Sequence, residues 1–184
     1  YFDTEGPLLN QKIDAKWDYL SYESAGWKDI IIKDDMKKLL NRNIIHYITN
    51  IEEYAKRNLP TSRGILITGP PGTGKTLCCK TVMGLLDCTT IYVTSDNIEN
   101  MGDIKKTYEL AKRLAPTIIV IEDIDTLGGL DRRQQGDNHP LLGEFLNCLN
   151  GIGSNAGVIT IATTNYPQYI DSALADRPGR FDLR

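Results

Sequence analysis

Residues 69 to 76 read GPPGTGKT, which fits the pattern GxxxxGK[ST] of a phosphate-binding loop. They follow a β-rich run at residues 64 to 68 and precede a helical pattern, and this is the context that the motif requires. Its glycines allow the backbone to curl so that N–H groups surround phosphates, while the next helix points its positive end at them. Lys75 is then placed to reach the β and γ phosphates of a nucleotide, and Thr76 to offer a hydroxyl to Mg²⁺.

Two adjacent acids follow a second apolar run. Residues 118 to 121 are IIVI, typical of a strand buried on both faces, so Glu122 and Asp123 emerge at its carboxyl end. In a parallel sheet that edge binds ligands. Phosphoryl transfer needs a carboxylate on the metal side and a group that orients the attacking water. The stretch TIIVIEDID therefore predicts the acidic half of an ATP site.

Alternating strand and helix patterns surround these motifs. Apolar residues recur at helical spacing from Asp34 or Asp35 to Leu59-Pro60, which predicts one long amphipathic helix. Strands are predicted at residues 64–68, 89–94, 117–121 and 158–162, and further helices near residues 75–86, 104–114 and 141–149. Such alternation indicates a parallel sheet covered by helices on both faces. Residues 1 to 26 show weak periodicity and are interpreted as a lead-in segment.

Composition narrows the class of protein. A chain of 184 residues suits one domain with a substantial core, since it can bury roughly 70% of its unfolded surface. A net charge of −3 with scattered signs predicts no broad basic surface, and no run of 18 apolar residues is present. The four cysteines form no CxxC or Cys/His ligand pattern, which favours reduced thiols and a cytosolic or nuclear compartment, and we expect a cytoplasmic (intracellular) location. No targeting peptide is recognised at Tyr1.

Three stretches together resemble the nucleotide-binding core of an AAA+ ATPase, of the AAA subfamily with the second region of homology. They are GPPGTGKT (69–76), VIEDID (120–125) and ITIATTNYPQYIDSALADRPGRFD (159–182). The resemblance covers residues 27 to 184 and implies a three-layer α/β/α P-loop fold with a parallel sheet of strand order 5-1-4-3-2. The family's fifth strand and helical lid would lie beyond Arg184, so we expect a core truncated before the lid, preceded by the lead-in at 1–26.

The resemblance also implies a site for ATP or ADP with Mg²⁺. Its nucleotide-binding residues would be Asp29, Ile30, Gly69, Pro70, Pro71, Gly72, Thr73, Gly74, Lys75, Thr76 and Leu77. Among these, Asp29 and Ile30 belong to WKDI, which resembles the segment that lies against the adenine. Thr76 and Glu122 would stand on the metal side.

Three further residues match catalytic positions of the family. Asn165 matches sensor 1, which with Asp123 would place the attacking water near the γ phosphate. Arg177 and Arg180 match paired arginine fingers that reach the γ phosphate of a neighbouring subunit, a contribution worth about 10³–10⁵ in rate. Fingers acting in trans imply an oligomer, expected to be a hexameric ring.

The chain departs from the family in the order of its acids and in one loop. Family members usually carry Asp then Glu, whereas here Glu122 takes the metal-side position and Asp123 the water-side one. Either the water bridges adjust and the enzyme is active, which we favour, or hydrolysis is crippled while binding survives. Residues 96 to 103, DNIENMGD, lack the aromatic residue of a peptide-gripping pore loop, although Met101-Gly102 could be a reduced version. Threading of a substrate is thus left open.

The predicted function is Mg²⁺-dependent ATP hydrolysis coupled to remodelling of a macromolecule, with a protein favoured as substrate. A nucleotide-gated assembly scaffold with little turnover is the first alternative. An ATP-dependent nucleic-acid remodeller is the second, and the acidic balance argues against nucleic acid as a partner. A GTPase or small-molecule kinase is disfavoured, because no NKxD-like guanine reader is present and the sensor and finger residues would have no role.

Overall fold

A five-stranded, all-parallel sheet forms the centre of the protein. The computed structural model describes residues 7–23, 25–126, 145, 147–149 and 155–167. The strands are β1 (Lys12–Asp14), β2 (Arg63–Thr68), β3 (Thr89–Val93), β4 (Thr117–Ile121) and β5 (Val158–Thr164). Their spatial order is β1-β3-β4-β5-β2. The four strands predicted from the sequence are therefore confirmed, and β2, β5, β4 and β3 lie side by side in the order implied for family strands 1, 4, 3 and 2.

Strand β1 is an addition that the sequence patterns did not predict. It pairs in parallel with β3, with Ile13 opposite Ile91. The Lys12 ammonium donates hydrogen bonds to the carbonyl oxygens of Leu86 (2.7 Å) and Cys88 (2.6 Å), which ties the strand to the chain just before β3. A strand of three residues is too short to show a periodic pattern. Part of the predicted lead-in segment thus covers the edge of the sheet next to β3.

Helices pack on both faces of the sheet, as predicted. They are α1 (Asp34–Leu40), α2 (His46–Thr49), α3 (Ile51–Lys56), α4 (Lys75–Gly84) and α5 (Met101–Arg113). One face of β4 packs Ile119 and Ile121 into a cluster with α5, and the other packs Ile118 and Val120 into a cluster with the remaining helices. Phe145, from the helix predicted around residues 141–149, is fully buried in the α5 cluster. No helix in the described part of the chain is long and apolar enough to cross a membrane.

The single long helix predicted between Asp34 and Leu59 is wrong in detail. A π-helical stretch at Asn41–Ile45 separates α1 from α2, and the chain turns at Asn50 before α3. Just before that turn, the Thr49 hydroxyl donates to the carbonyl oxygen of Ile45 (2.9 Å) and the Asn50 amide donates to that of His46 (2.7 Å). These side chains compete with the backbone for helix carbonyls, which explains the interruption.

Gly157, which precedes β5, supports a stability prediction. Its backbone φ is +80°, and a Cβ built there would lie 2.6 Å from the Cβ of Ala115. Gly157→Ala combines a left-handed backbone penalty with overpacking, so we expect a loss of about 2–4 kcal/mol in the free energy of unfolding. Urea unfolding with an unchanged m value measures it. Gly72→Ala is the control, since φ is +78° there but no atom lies within 4 Å of the added Cβ. An equal loss in both variants would contradict the steric part of the prediction.

Candidate nucleotide-binding site

The phosphate loop runs from the end of β2 to the start of α4. Gly72 and Gly74 have φ values of +78° and +86°, a left-handed conformation that glycine adopts without penalty. The Thr73 hydroxyl donates to the carbonyl oxygen of Pro70 (2.8 Å) and braces the curl of the loop. Gly74 then caps α4, which begins at Lys75. The positive end of a ten-residue helix therefore faces the loop, as anion binding requires.

Lys75 joins this loop to the end of β5. Only 9% of the residue is exposed, and its ammonium donates to the carbonyl oxygens of Gly69 (2.8 Å) and Pro70 (2.9 Å) and to Asn165 Oδ1 (2.7 Å). Asn165 Nδ2 in turn donates to Asp123 Oδ1 (3.1 Å). Lys75, predicted to hold the phosphates, is thus linked by hydrogen bonds to Asn165 and Asp123, which are predicted to orient the water. Because an ammonium has three donors, Lys75 must exchange at least one partner to contact a phosphate.

Asp123 is aimed into this chain by an unusual backbone conformation. Its φ is +44°, in the left-handed region where Asp is one of the few non-glycine residues enriched. The Asp123 N–H donates to Thr163 Oγ1 on β5 (2.9 Å), and its carbonyl oxygen accepts hydrogen bonds from the backbone N–H (2.6 Å) and the hydroxyl (2.8 Å) of Thr126. The turn ends the alternation of β4, so that Asp123 faces Asn165.

Burial and negative neighbours raise the pKa of Asp123. The largest cause is loss of solvent, followed by the charges of Asp125 and Glu122, while the Lys75 charge and the hydrogen bond from Asn165 oppose the shift. A carboxylate with a raised pKa is a stronger proton acceptor than an exposed one. Such a perturbed acid beside a phosphate loop is typical of a functional site.

Asp125 is a site residue for which the sequence predicted no role. It is 8% exposed, and its Oδ1 accepts hydrogen bonds from the Thr164 hydroxyl (2.8 Å) and the Asn165 N–H (3.3 Å). The Thr164 hydroxyl also accepts from the N–H of Tyr166 (3.0 Å). Asp125 therefore holds the end of β5 and fixes where Asn165 stands. The only signal in the sequence was a third acid following the first two.

Glu122 differs from Asp123 in its surroundings. Its N–H donates to the carbonyl oxygen of Val93 (2.9 Å), and its Oε1 is buried without a hydrogen-bond partner. A buried carboxylate oxygen left unsatisfied is costly, so this atom fits a site for a further ligand. Mg²⁺ takes carboxylate and hydroxyl oxygens, usually with phosphates and waters completing its shell. Glu122 and the exposed Thr76 thus suit magnesium, and the described residues contain no group of three or more His, Cys, Asp or Glu that could hold a metal unaided.

The segment predicted to read the base lies beside α4. Ile30 is 4% exposed and belongs to the apolar cluster that contains Cys78 and Val82 of that helix. Asp29 is exposed, and its carboxylate accepts a hydrogen bond from the N–H of Gly26 (2.8 Å). This placement is compatible with contact to the adenine, which stays a prediction, as does the role of Leu77.

Two other predictions concern a pore loop at Met101-Gly102 and arginine fingers at Arg177 and Arg180. Met101-Gly102, considered as a reduced pore loop, forms the first turn of α5. That turn is capped, because the Asn100 side chain accepts from the Gly102 N–H (2.8 Å) and the Asp103 carboxylate accepts from the Asn100 N–H (3.1 Å). Arg177 and Arg180, the predicted fingers, lie outside the described residues.

The parallel sheet, glycine-rich loop, buried lysine and paired acids at one edge define a P-loop nucleotide-binding domain of the α/β class. The sequence profile of the ATPase family associated with various cellular activities (AAA) matches residues 65–184. The chain belongs to that family, and its described part is an AAA+ nucleotide-binding core.

Relatives of the chain include long ATP-dependent proteases. It is 34% identical over 162 residues to the ATP-dependent zinc metalloprotease FTSH 9, chloroplastic/mitochondrial, of Oryza sativa subsp. japonica, covering 85% of this chain and 20% of that protein. It is 30% identical over 182 residues to the ATP-dependent zinc metalloprotease YME1L1 of Homo sapiens, covering 94% of this chain and 23% of that protein. It is 31% identical over 192 residues to the ATP-dependent zinc metalloprotease FtsH of Metamycoplasma arthritidis (strain 158L3-1), covering 96% of this chain and 24% of that protein. The chain spans about a fifth to a quarter of the length of these relatives.

Proposed function

We propose that the protein binds Mg·ATP and hydrolyses it. The observation that carries the proposal is the hydrogen-bonded chain from Lys75 through Asn165 to Asp123, which joins the phosphate loop to the ends of two central strands. Lys75 and the loop N–H groups hold the phosphates, and Thr76 with Glu122 stands on the metal side. Magnesium, when bound, neutralises charge that develops on the phosphate oxygens.

The hydrogen bonds that link Lys75, Asn165 and Asp123 also provide a way to orient the attacking water. When Lys75 releases Asn165 in favour of a phosphate oxygen, the amide oxygen of Asn165 becomes free to accept a hydrogen bond. The amide nitrogen still donates to Asp123, which keeps the two side chains together. An amide oxygen and a carboxylate oxygen can then accept the two protons of one water, and positioning of this kind is most of what phosphoryl transfer demands.

The contacts of Asp123 and Glu122 also support giving each acid the role that its position in the family motif implies. Asp123 is bonded to Asn165, the residue that matches sensor 1, whereas Glu122 has an unsatisfied oxygen suited to a metal ligand. We therefore assign Asp123 to the water side and Glu122 to the metal side, despite the order usual in the family. We therefore favour an enzyme that hydrolyses ATP over a site that binds ATP without hydrolysing it.

The assembly and substrate are proposed at the level of the whole protein. Arg177 and Arg180 would complete the ATP site of a neighbouring subunit in a hexameric ring. The names of the relatives describe ATP-dependent metalloproteases, which supports a protein as the substrate that ATP hydrolysis remodels. An intracellular location, without nucleic acid as a partner, fits the cysteine usage and the acidic balance.

Steady-state phosphate release from ATP by the full-length protein tests the proposal. We expect turnover that requires Mg²⁺, rises with unfolded protein, and is lost in Arg177→Ala and Arg180→Ala while nucleotide affinity is kept. ATP-dependent oligomers without turnover would instead establish the assembly scaffold. Stimulation by DNA or RNA, but not by unfolded protein, would establish the nucleic-acid remodeller.

A further inference from the structure

Thr163, near the end of β5, holds the backbone of Asp123. The paired residues of β4 and β5 end with Ile121 opposite Ala162. Beyond that pair, the N–H of Asp123 donates to the hydroxyl oxygen of Thr163 (2.9 Å). Thr163 is 1% exposed, so water does not compete for this bond. A side-chain oxygen thus continues the attachment between two central strands at the point where their backbone pairing ends.

The conformation that this bond holds is an unfavourable one. The φ of Asp123 is +44°, and a residue other than glycine keeps such a backbone only where its surroundings fix it. The carbonyl oxygen of Asp123 accepts from the N–H and the hydroxyl of Thr126, but both of these groups belong to the same turn. Thr163 is the partner that ties the backbone of Asp123 to a neighbouring strand. Because one methylene separates the carboxylate from the Cα atom, the position of the carboxylate follows this backbone closely.

On its other side, Thr163 is fixed to the strand that leads into the phosphate loop. Strands β2 and β5 pair in parallel with Ile67 opposite Thr163. The N–H of Gly69, the first residue of the loop, donates to the carbonyl oxygen of Thr164 (3.4 Å). Thr163 therefore lies between the phosphate loop and Asp123, and its contacts set where one stands relative to the other.

We propose that Thr163 is a positioning residue for hydrolysis: its hydroxyl fixes the left-handed backbone of Asp123 and so places the carboxylate relative to the phosphate loop. The inference rests on the proposed function, in which Asp123 orients the attacking water. Thr163 exerts its effect through Asp123. Since positioning is most of what phosphoryl transfer demands, loss of the hydroxyl slows hydrolysis without weakening nucleotide binding.

The test is Thr163→Val in the full-length protein, measured by single-turnover hydrolysis and by equilibrium binding of a fluorescent non-hydrolysable ATP analogue. Valine keeps the β-branched shape but offers no acceptor to the Asp123 N–H. Because a misplacement of about 1 Å can cost about 100-fold in rate, we expect hydrolysis to slow about 10- to 100-fold while analogue affinity changes less than about twofold. Thr163→Ser keeps the hydroxyl and should restore most of the rate.

Thr160→Val is the matched control. Thr160 lies earlier on β5 and is 2% exposed, and its hydroxyl bonds that of Tyr108 (3.0 Å). The substitution removes a buried hydroxyl from the same strand but leaves the contact between Thr163 and Asp123 in place. Its rate of hydrolysis and its affinity for the analogue should match those of the unaltered protein.

A double-mutant cycle separates positioning from a general structural effect. Thr163→Val added to Asp123→Asn should slow the residual hydrolysis little further, because the acid that Thr163 positions is already lost. An undiminished rate in Thr163→Val, an equally slow Thr163→Ser, an equal loss in Thr160→Val, or the full additional loss in the Asp123→Asn background would overturn the inference. Loss of analogue binding in Thr163→Val would overturn it too, since Thr163 would then support the fold of the site. Absence of Mg²⁺-dependent hydrolysis by the unaltered protein would instead overturn the proposed function, so the two failures are distinguishable.

Discussion

Asp123→Asn is expected to lower ATP turnover by about 100-fold or more and to leave ATP bound, since removal of a catalytic acceptor costs about 10²–10⁴ in rate. Asparagine keeps the size of the side chain but replaces one carboxylate oxygen with an amide nitrogen, which cannot accept a proton or a hydrogen bond from water. The contact to Asn165 survives if the remaining oxygen takes it. Binding should persist because Lys75 and the loop are untouched. Single-turnover hydrolysis, with the bound nucleotide identified after filtration, measures both effects.

Glu122→Gln is the matched variant for that experiment. If position decides the roles, Glu122→Gln mainly raises the Mg²⁺ concentration needed for nucleotide binding, and Asp123→Asn is the variant that traps ATP. The reverse pair of phenotypes would show that glutamate acts as the water-side base in spite of its place on the strand. In that event the contact from Asn165 to Asp123 would not report the catalytic acid.

Lys75→Met is expected to weaken ATP binding by about 10- to 100-fold, because a hydrogen bond to a charged group contributes about 1.5–3 kcal/mol. Methionine matches the length and burial of the lysine stem but brings no charge. The substitution also removes the Lys75 ammonium that donates to Asn165 Oδ1 (2.7 Å), so Asn165 is no longer held toward the phosphate loop. Equilibrium binding of a fluorescent ATP analogue measures the change in dissociation constant.

Lys112→Met provides the control for charge removal. Lys112 is exposed in the last turn of α5, away from the phosphate loop. Its replacement should leave nucleotide affinity within the error of the measurement. A similar loss of affinity in both variants would mean that net charge, and not the contact from Lys75, controls binding.

Local features of the site were readable from contiguous residues. A phosphate loop is specified by neighbours in the chain, since its glycines set backbone angles and its lysine follows directly. The curl predicted from the glycines is present, with a left-handed backbone at Gly72 and Gly74. The strands were readable because parallel strands buried on both faces are continuous apolar runs. By contrast, the short strand β1 and the turn at Asn50 carry no such signal, because one is too short for a period and the other depends on side-chain competition for carbonyls.

Contiguous residues are enough to identify the family, the phosphate loop and the two acids at a strand end. The partner that each acid contacts depends on residues far apart in the chain. Lys75 and Asn165 are 90 residues apart in the chain, and Asn165 and Asp123 are 42 apart, so no local pattern records their contact. The left-handed backbone at Asp123 turns its side chain out of the alternation of β4, while the Glu122 N–H still pairs with β3 through the carbonyl oxygen of Val93. The alternation of side chains along β4 therefore extends to Glu122 and ends at the left-handed backbone of Asp123.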